Sequence, residues 1–97
     1  MPLTIIVTRD VQDRYRGFLT SVMLEISPGV YVASDMTAGV RGRVWGVVCD
    51  WWETLRQGSL TLVWRDTAAA GHLRIETLGS PPKTIVDADG ALLVKRK

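Results

Sequence analysis

Asp10 is the carboxylate best placed for chemistry, because it follows the apolar run Leu3 to Thr8 and precedes a helical pattern. Two readings fit it. In one, Asp10 is a metal ligand and catalytic residue. A carboxylate at a strand end, doubled by a dimer twofold, can hold Mg²⁺ through the oxygen ligands that such hard ions prefer. In the other, Asp10 is a helix N-cap, with Asp13 three residues on at the positive end of the helix dipole. A cap contributes about 1 kcal/mol and explains Asp10 without any chemistry.

Arg14 with Arg16, and Arg41 with Arg43, repeat the pattern Arg-x-Arg near two expected helix starts. Arginine presents a planar fork of donors that suits phosphate. Near a helix N-terminus it does not complement the dipole, which points to a purpose beyond helix stability. One reading is a phosphate clamp; the other is pairing with Asp10 or Asp13 on a solvated face. Gly39 and Gly42 accompany the second pair. Each weakens a helix by up to about 1 kcal/mol, and each can let a backbone or phosphate approach. Duplicated across a dimer, the four arginines make a basic ridge that grips a duplex without reading bases.

Other chemistries lack their residues. His72 is the lone histidine and belongs to a strand; no Ser-His-Asp order, paired-carboxylate motif or glycine-rich phosphate loop is present. A single cysteine, Cys49, excludes an internal disulfide and a multi-cysteine metal site. Trp51 falls on a helical stripe and Trp64 ends a strand, so both read as core. Trp45 and Trp52 lie at the stripe's margin and read as interface residues. An RNA-reading sheet needs exposed aromatics on its central strands, where this sequence has Ile, Val and Leu.

Ninety-seven residues make one domain, and 46% apolar content lets it fold without staples. Net charge is only +2, but nine of the twelve basic residues are arginine, a makeup permissive for nucleic acid. No run approaches the roughly 18 apolar residues of a membrane span. The N-terminus lacks a basic region before its apolar run, so a cytoplasmic protein is expected.

The elements that must position these residues follow from periodicity. Leu3 to Thr8 reads as a strand. Val11, Tyr15, Phe18, Leu19, Val22 and Met23 mark one face of a helix capped at Asp10. Leu24 to Val32 reads as a hairpin around Ser27, Pro28 and Gly29. Ser34, Asp35 and Thr37 are candidate caps for a second helix. Its apolar face carries Val40, Val44, Val47, Val48, Trp51 and Leu55, and Gly58 is its expected stop. Leu60 to Trp64 and His72 to Leu78 read as strands, and Asp87 to Val94 as a short hairpin turning at Asp89-Gly90. The result is an α+β, ferredoxin-like βαββαβ sandwich with an extra strand and a C-terminal hairpin tail. Pro81-Pro82 divides domain 1–80 from tail 81–97. Strands apolar on both faces, with helices for one face only, predict a homodimer packed sheet on sheet.

Arg14-Tyr15-Arg16-Gly17-Phe18-Leu19, the hairpin Leu24 to Val32, Val44-Trp45, Gly58 to Trp64 and Val86 to Gly90 together resemble the Cas-two family of CRISPR-associated proteins, subtype I-E. The resemblance implies a ferredoxin-like homodimer that serves as scaffold and ruler for a double-stranded prespacer. Two dimers of the integrase subunit would flank it, the first-helix arginines would grip DNA, and the tail from about Thr84 would dock on the integrase. Family members carry an acidic residue at the first strand's end, linked to metal-dependent nuclease activity. Arg9 stands at that position here, so Mg²⁺ would have to rely on Asp10. Where relatives have adjacent basic residues before the tail, this chain has only Lys83 as a DNA contact. The resemblance therefore implies a non-catalytic DNA-binding adaptor. The rivals are a metal-dependent endonuclease of RNA or duplex DNA, and a ferredoxin-like module that binds a small molecule or itself.

Overall fold

The computed structural model describes residues 3–79, 84–88 and 91–95. Strand β1 (Thr4–Arg9) leads to helix α1 (Asp13–Val22), the hairpin β2 (Leu24–Ser27) and β3 (Val30–Ala33), and helix α2 (Ala38–Leu55). Strand β4 (Ser59–Arg65) and a 3-10 turn at Ala70–His72 then precede β5 (Leu73–Leu78). Strands β6 (Thr84–Ala88) and β7 (Ala91–Lys95) form a separate two-stranded sheet. Lys83, Pro81-Pro82, and the Asp89-Gly90 turn lie outside the described residues.

The main sheet runs β2-β3-β1-β4-β5, with every neighbouring pair antiparallel. β1 and β2 are therefore parallel with β3 between them, and β3 and β4 are parallel with β1 between them. This is the split βαβ arrangement of a ferredoxin-like fold, with β5 as the added strand. The topology also sets the helix directions: α1 starts beyond the C-terminal end of β1, and α2 starts at the opposite end of the sheet.

Register decides which side chains meet the helices. Ile6 lies opposite Tyr31 and Leu62, and Thr8 lies opposite Leu60. Ile6, Tyr31, Leu60 and Leu62 join Tyr15, Leu19, Met23, Met36, Val44 and Val48 in the buried core. Burying each large apolar side chain contributes roughly 1.5–3 kcal/mol before entropy is counted. Val22 and Val40, both assigned to apolar stripes, are exposed; each stands in a terminal turn of its helix.

The other face carries the row Val32, Ile5, Val63 and Ile75, with Val30, Val7 and Leu73 on the same side. None of these seven is fully buried, and Val7 and Leu73 are each 40% exposed. No helix of the described residues is long and apolar enough to cross a membrane.

The caps differ in part from expectation. Thr37 caps α2, its hydroxyl accepting from the Val40 N–H at 3.2 Å. The α1 cap is Gln12 and not Asp10, and its side chain makes no capping bond. Asp10 instead adopts a left-handed conformation, φ 56°, which turns the chain before the helix can begin. α2 ends with Arg56 in the left-handed region, two residues before the expected stop at Gly58. Gly58 has another role. It sits at φ 75°, and a Cβ there would run into the carbonyl oxygens of Arg9 and Asp10. Its bare backbone lets the α2–β4 connection press against the loop that carries Asp10.

Candidate nucleic-acid interface

The site begins at the end of β1, where the chain is tied on two sides. The Thr8 N–H donates to the Gly29 carbonyl at 2.7 Å, and the Thr8 hydroxyl donates to the same oxygen at 3.1 Å. Gly29 sits at φ 79°, where a Cβ would also collide with the Thr8 carbonyl, so glycine suits the position on both counts. The Gln57 side-chain amide donates to the Asp10 carbonyl at 3.1 Å. A cleft of about 570 Å³ lies between this loop, the start of α1 and the β2–β3 turn, lined among others by Asp10, Asp13, Arg16 and Glu25.

Asp10 is exposed, and among the described residues its carboxylate accepts no hydrogen bond. Three metal-capable side chains do not come together among those residues. Of the cleft's acids, Glu25 is already committed to Arg16 and Gly29. One chain therefore presents Asp10 without a built set of oxygen ligands, and Mg²⁺ here would call on a second copy's Asp10.

The four arginines have four different environments. Arg16 Nε donates to Glu25 Oε1 at 3.1 Å, so its acidic partner is Glu25 and not Asp10 or Asp13. The Arg14 guanidinium lies 5.2 Å from the Trp51 ring centre. Trp51 itself meets Tyr15 and Phe18 edge-on, at 5.5 and 5.4 Å. Arg41 is half-buried and lies 4.4 Å from the Trp64 ring centre. Arg43 Nε reaches the Gly39 carbonyl at 3.5 Å, a weak contact by geometry.

Arg14 and Arg41 are thus stacked on rings near opposite ends of the sheet. Trp64 pairs with Thr4 at the start of β1, whereas α1 begins beyond its end. Along α2, Arg41 and Trp51 are separated by about 15 Å of helix rise. Within one chain the arginines form two groups and not one ridge across adjacent helix starts. The reason is topological: α1 and α2 start at opposite ends.

All four tryptophans pack partly buried against the core. Arg14, Arg56 and Arg41 lie over Trp51, Trp52 and Trp64. Those ring faces serve as supports for guanidinium groups. Two contributors escaped sequence reasoning. Arg56 caps α2 in the left-handed region and pairs with Glu53 at 3.0 Å, and no pattern marks such a residue. Glu25 stands between Leu24 and Ile26, which is a visible signal, but its partner Arg16 lies nine residues away on α1.

Electrostatics single out Glu25. The Gly29 N–H holds its carboxyl below the ordinary glutamate value, with Arg16 and Tyr31 adding to the effect. Burial pushes the Tyr31 phenol up, and the Glu25 charge pushes it further. Burial, helped by Glu76, Asp50 and Glu53, pushes the Cys49 thiol up, which makes it a poor nucleophile. His72 is exposed and bonded through its ring Nδ1 to the Thr67 carbonyl at 3.2 Å.

Fold and surface together define a small ferredoxin-like α+β protein with arginines displayed on its helical layer and a bare apolar face on its sheet. Its family is more specific. The chain belongs to the CRISPR-associated protein family Cas_Cas2CT1978, which matches residues 3–93. The resemblance to Cas-two-like CRISPR proteins is borne out at that level.

Proposed function

We propose that this chain is the dimeric, duplex-DNA-binding scaffold of CRISPR spacer acquisition in a subtype I-E system, where it joins the integrase subunit and does no cutting itself. The observation that carries this reading is the display of Arg14 and Arg16 on the exposed side of α1. Arg14 rests over Trp51 and Arg16 is anchored through Nε alone. Guanidinium groups held this way meet phosphates without reading bases. The apolar face of the sheet supports the dimer: among the described residues neither α1 nor α2 covers it, and apolar patches of this kind mark interaction surfaces. A second copy packed across it would double the arginines and supply the continuity that one chain lacks. Lys83 is a further DNA contact in this reading, and tail 81–97 docks on the integrase. The cytoplasm, where the DNA is, is the setting.

Duplex DNA binding across a salt series at fixed Mg²⁺, with and without the cognate integrase, tests this. Intact DNA should be bound, mainly by the pair, with affinity falling steeply as salt rises. Arg14→Ala/Arg16→Ala should flatten the log–log salt slope by about 2 per chain, since each phosphate contact contributes about 0.9. A dimeric double variant that binds like wild type would sink the clamp and favour a self-association module. Divalent-ion-dependent cleavage by this chain alone, abolished in Asp10→Ala, would transfer the assignment to the endonuclease.

A further inference from the structure

Glu25 has an arrangement that hairpin stability alone does not explain. It lies opposite Tyr31 in the β2–β3 pairing, beside a bulge between Glu25 and Ser27. Its two oxygens serve different masters. Oε2 accepts the Gly29 N–H at 3.2 Å and so ties the carboxylate to the turn. Oε1 accepts Arg16 Nε at 3.1 Å and so ties it to α1. The acid is sheltered, with 18% of its side chain exposed, whereas Arg16 is 69% exposed.

The contact uses one of the five guanidinium N–H groups. Among the described residues, the four on the two terminal nitrogens have no partner. Because a guanidinium is planar, fixing Nε against a carboxylate that cannot swing also restricts the plane of those four donors. An unsupported arginine on an exposed helix would have to lose that freedom on binding.

We propose that Glu25 is a positioning residue: it holds the Arg16 fork in place for a backbone phosphate of duplex DNA. This rests on the phosphate contact by Arg16 argued above. The consequence runs against simple charge counting. Replacing Glu25 by glutamine removes a negative charge beside a phosphate site, which by Coulomb's law alone tightens binding. Positioning requires the opposite.

The test is duplex binding by the full chain with its integrase partner, measured for wild type, Glu25→Gln, Arg16→Ala, Arg16→Lys and Glu25→Gln/Arg16→Ala. Glutamine keeps an amide oxygen for the Gly29 N–H, and thermal midpoints verify that each variant is folded. Glu25→Gln should weaken binding by about three- to tenfold, within the range that coupled neighbours show. The same change in the Arg16→Ala background should not weaken binding further, which a general loosening of the hairpin would do. Arg16→Lys keeps the charge without the fork and should bind about as weakly as Glu25→Gln. If Arg16→Ala weakens binding while Glu25→Gln matches or exceeds wild type, the positioning role is overturned and the phosphate contact stands. If Arg16→Ala itself binds like wild type, the contact fails and the positioning role with it.

Discussion

Leu62 and Val63 are adjacent in β4, similar in chemistry, and set in opposite surroundings. Leu62 faces the helices beside Ile6 and is 1% exposed. Val63 faces away, between Ile5 and Ile75, on the side that the two helices leave half-exposed. Alternation along a strand places neighbours on opposite faces, so the contrast holds across the whole sheet. One face is finished by α1 and α2. The other has comparable apolar residues without a helix over them. Apolarity therefore states where water is unwelcome and leaves open what excludes it.

The largest effect should come from the finished face. Leu62→Ala should cost about 2–5 kcal/mol, the range for a fully buried leucine whose cavity cannot collapse. Chemical denaturation would show this as a lower midpoint. If the loss were small, the helix layer would be less closely packed than the burial of Leu62 indicates. Val63→Asp probes the other face. In wild type, light scattering should report a dimer; the aspartate variant should be monomeric and keep its far-ultraviolet circular dichroism. A charge left at a closed sheet-on-sheet contact is strongly unfavourable, whereas at an open surface it costs little. A variant that remains dimeric would move the interface elsewhere, and a wild-type monomer would remove it.

Much of this contrast was legible in sequence. The apolar run Leu60 to Trp64, the helical period from Val11 to Met23 and the Pro28-Gly29 turn are local signals, and each produced its element. The split βαβ reading followed from the order of those elements along the chain. The site was less legible because its geometry depends on dihedrals and distant partners. Asp10 has the composition of a cap, but its left-handed backbone hands that position to Gln12. Arg14 and Arg41 look equivalent as text. They are separated because their helices start at opposite ends of the sheet, a consequence of topology that spacing within each helix does not display. Glu25 shows only as a charge between Leu24 and Ile26.

Glu25 lies at the edge of the finished face, opposite Tyr31, and its titration sharpens the comparison. The folded state holds its carboxyl below the ordinary value, first through the Gly29 N–H and then through Arg16. A depressed native value stabilises the fold above the unfolded value, about 4.3 for glutamate, and the contribution is lost as pH falls through the native value. The thermal-midpoint gap between wild type and Glu25→Gln should therefore be constant from neutrality to about pH 5 and shrink below about pH 4. A gap independent of pH would mean that the charge of Glu25 adds nothing to stability. Asp66, also held low by the Ala68 N–H and Arg74, is present in both proteins and cancels in the difference.

The smallest effect concerns a flaw in the finished layer. Tyr15 is fully buried beneath Trp51, and among the described residues its hydroxyl has no hydrogen-bond partner. Burial pushes its phenol up, against a small opposing pull from Arg14. A buried hydroxyl without a partner has lost its water without replacement, so removing it relieves a desolvation penalty. The ring and its edge-on contacts remain in phenylalanine. Tyr15→Phe should therefore leave stability within about 1 kcal/mol of wild type, with any change upward. A marked loss would reveal a partner for this oxygen, such as a trapped water, and would make the covered face more polar inside than its packing shows.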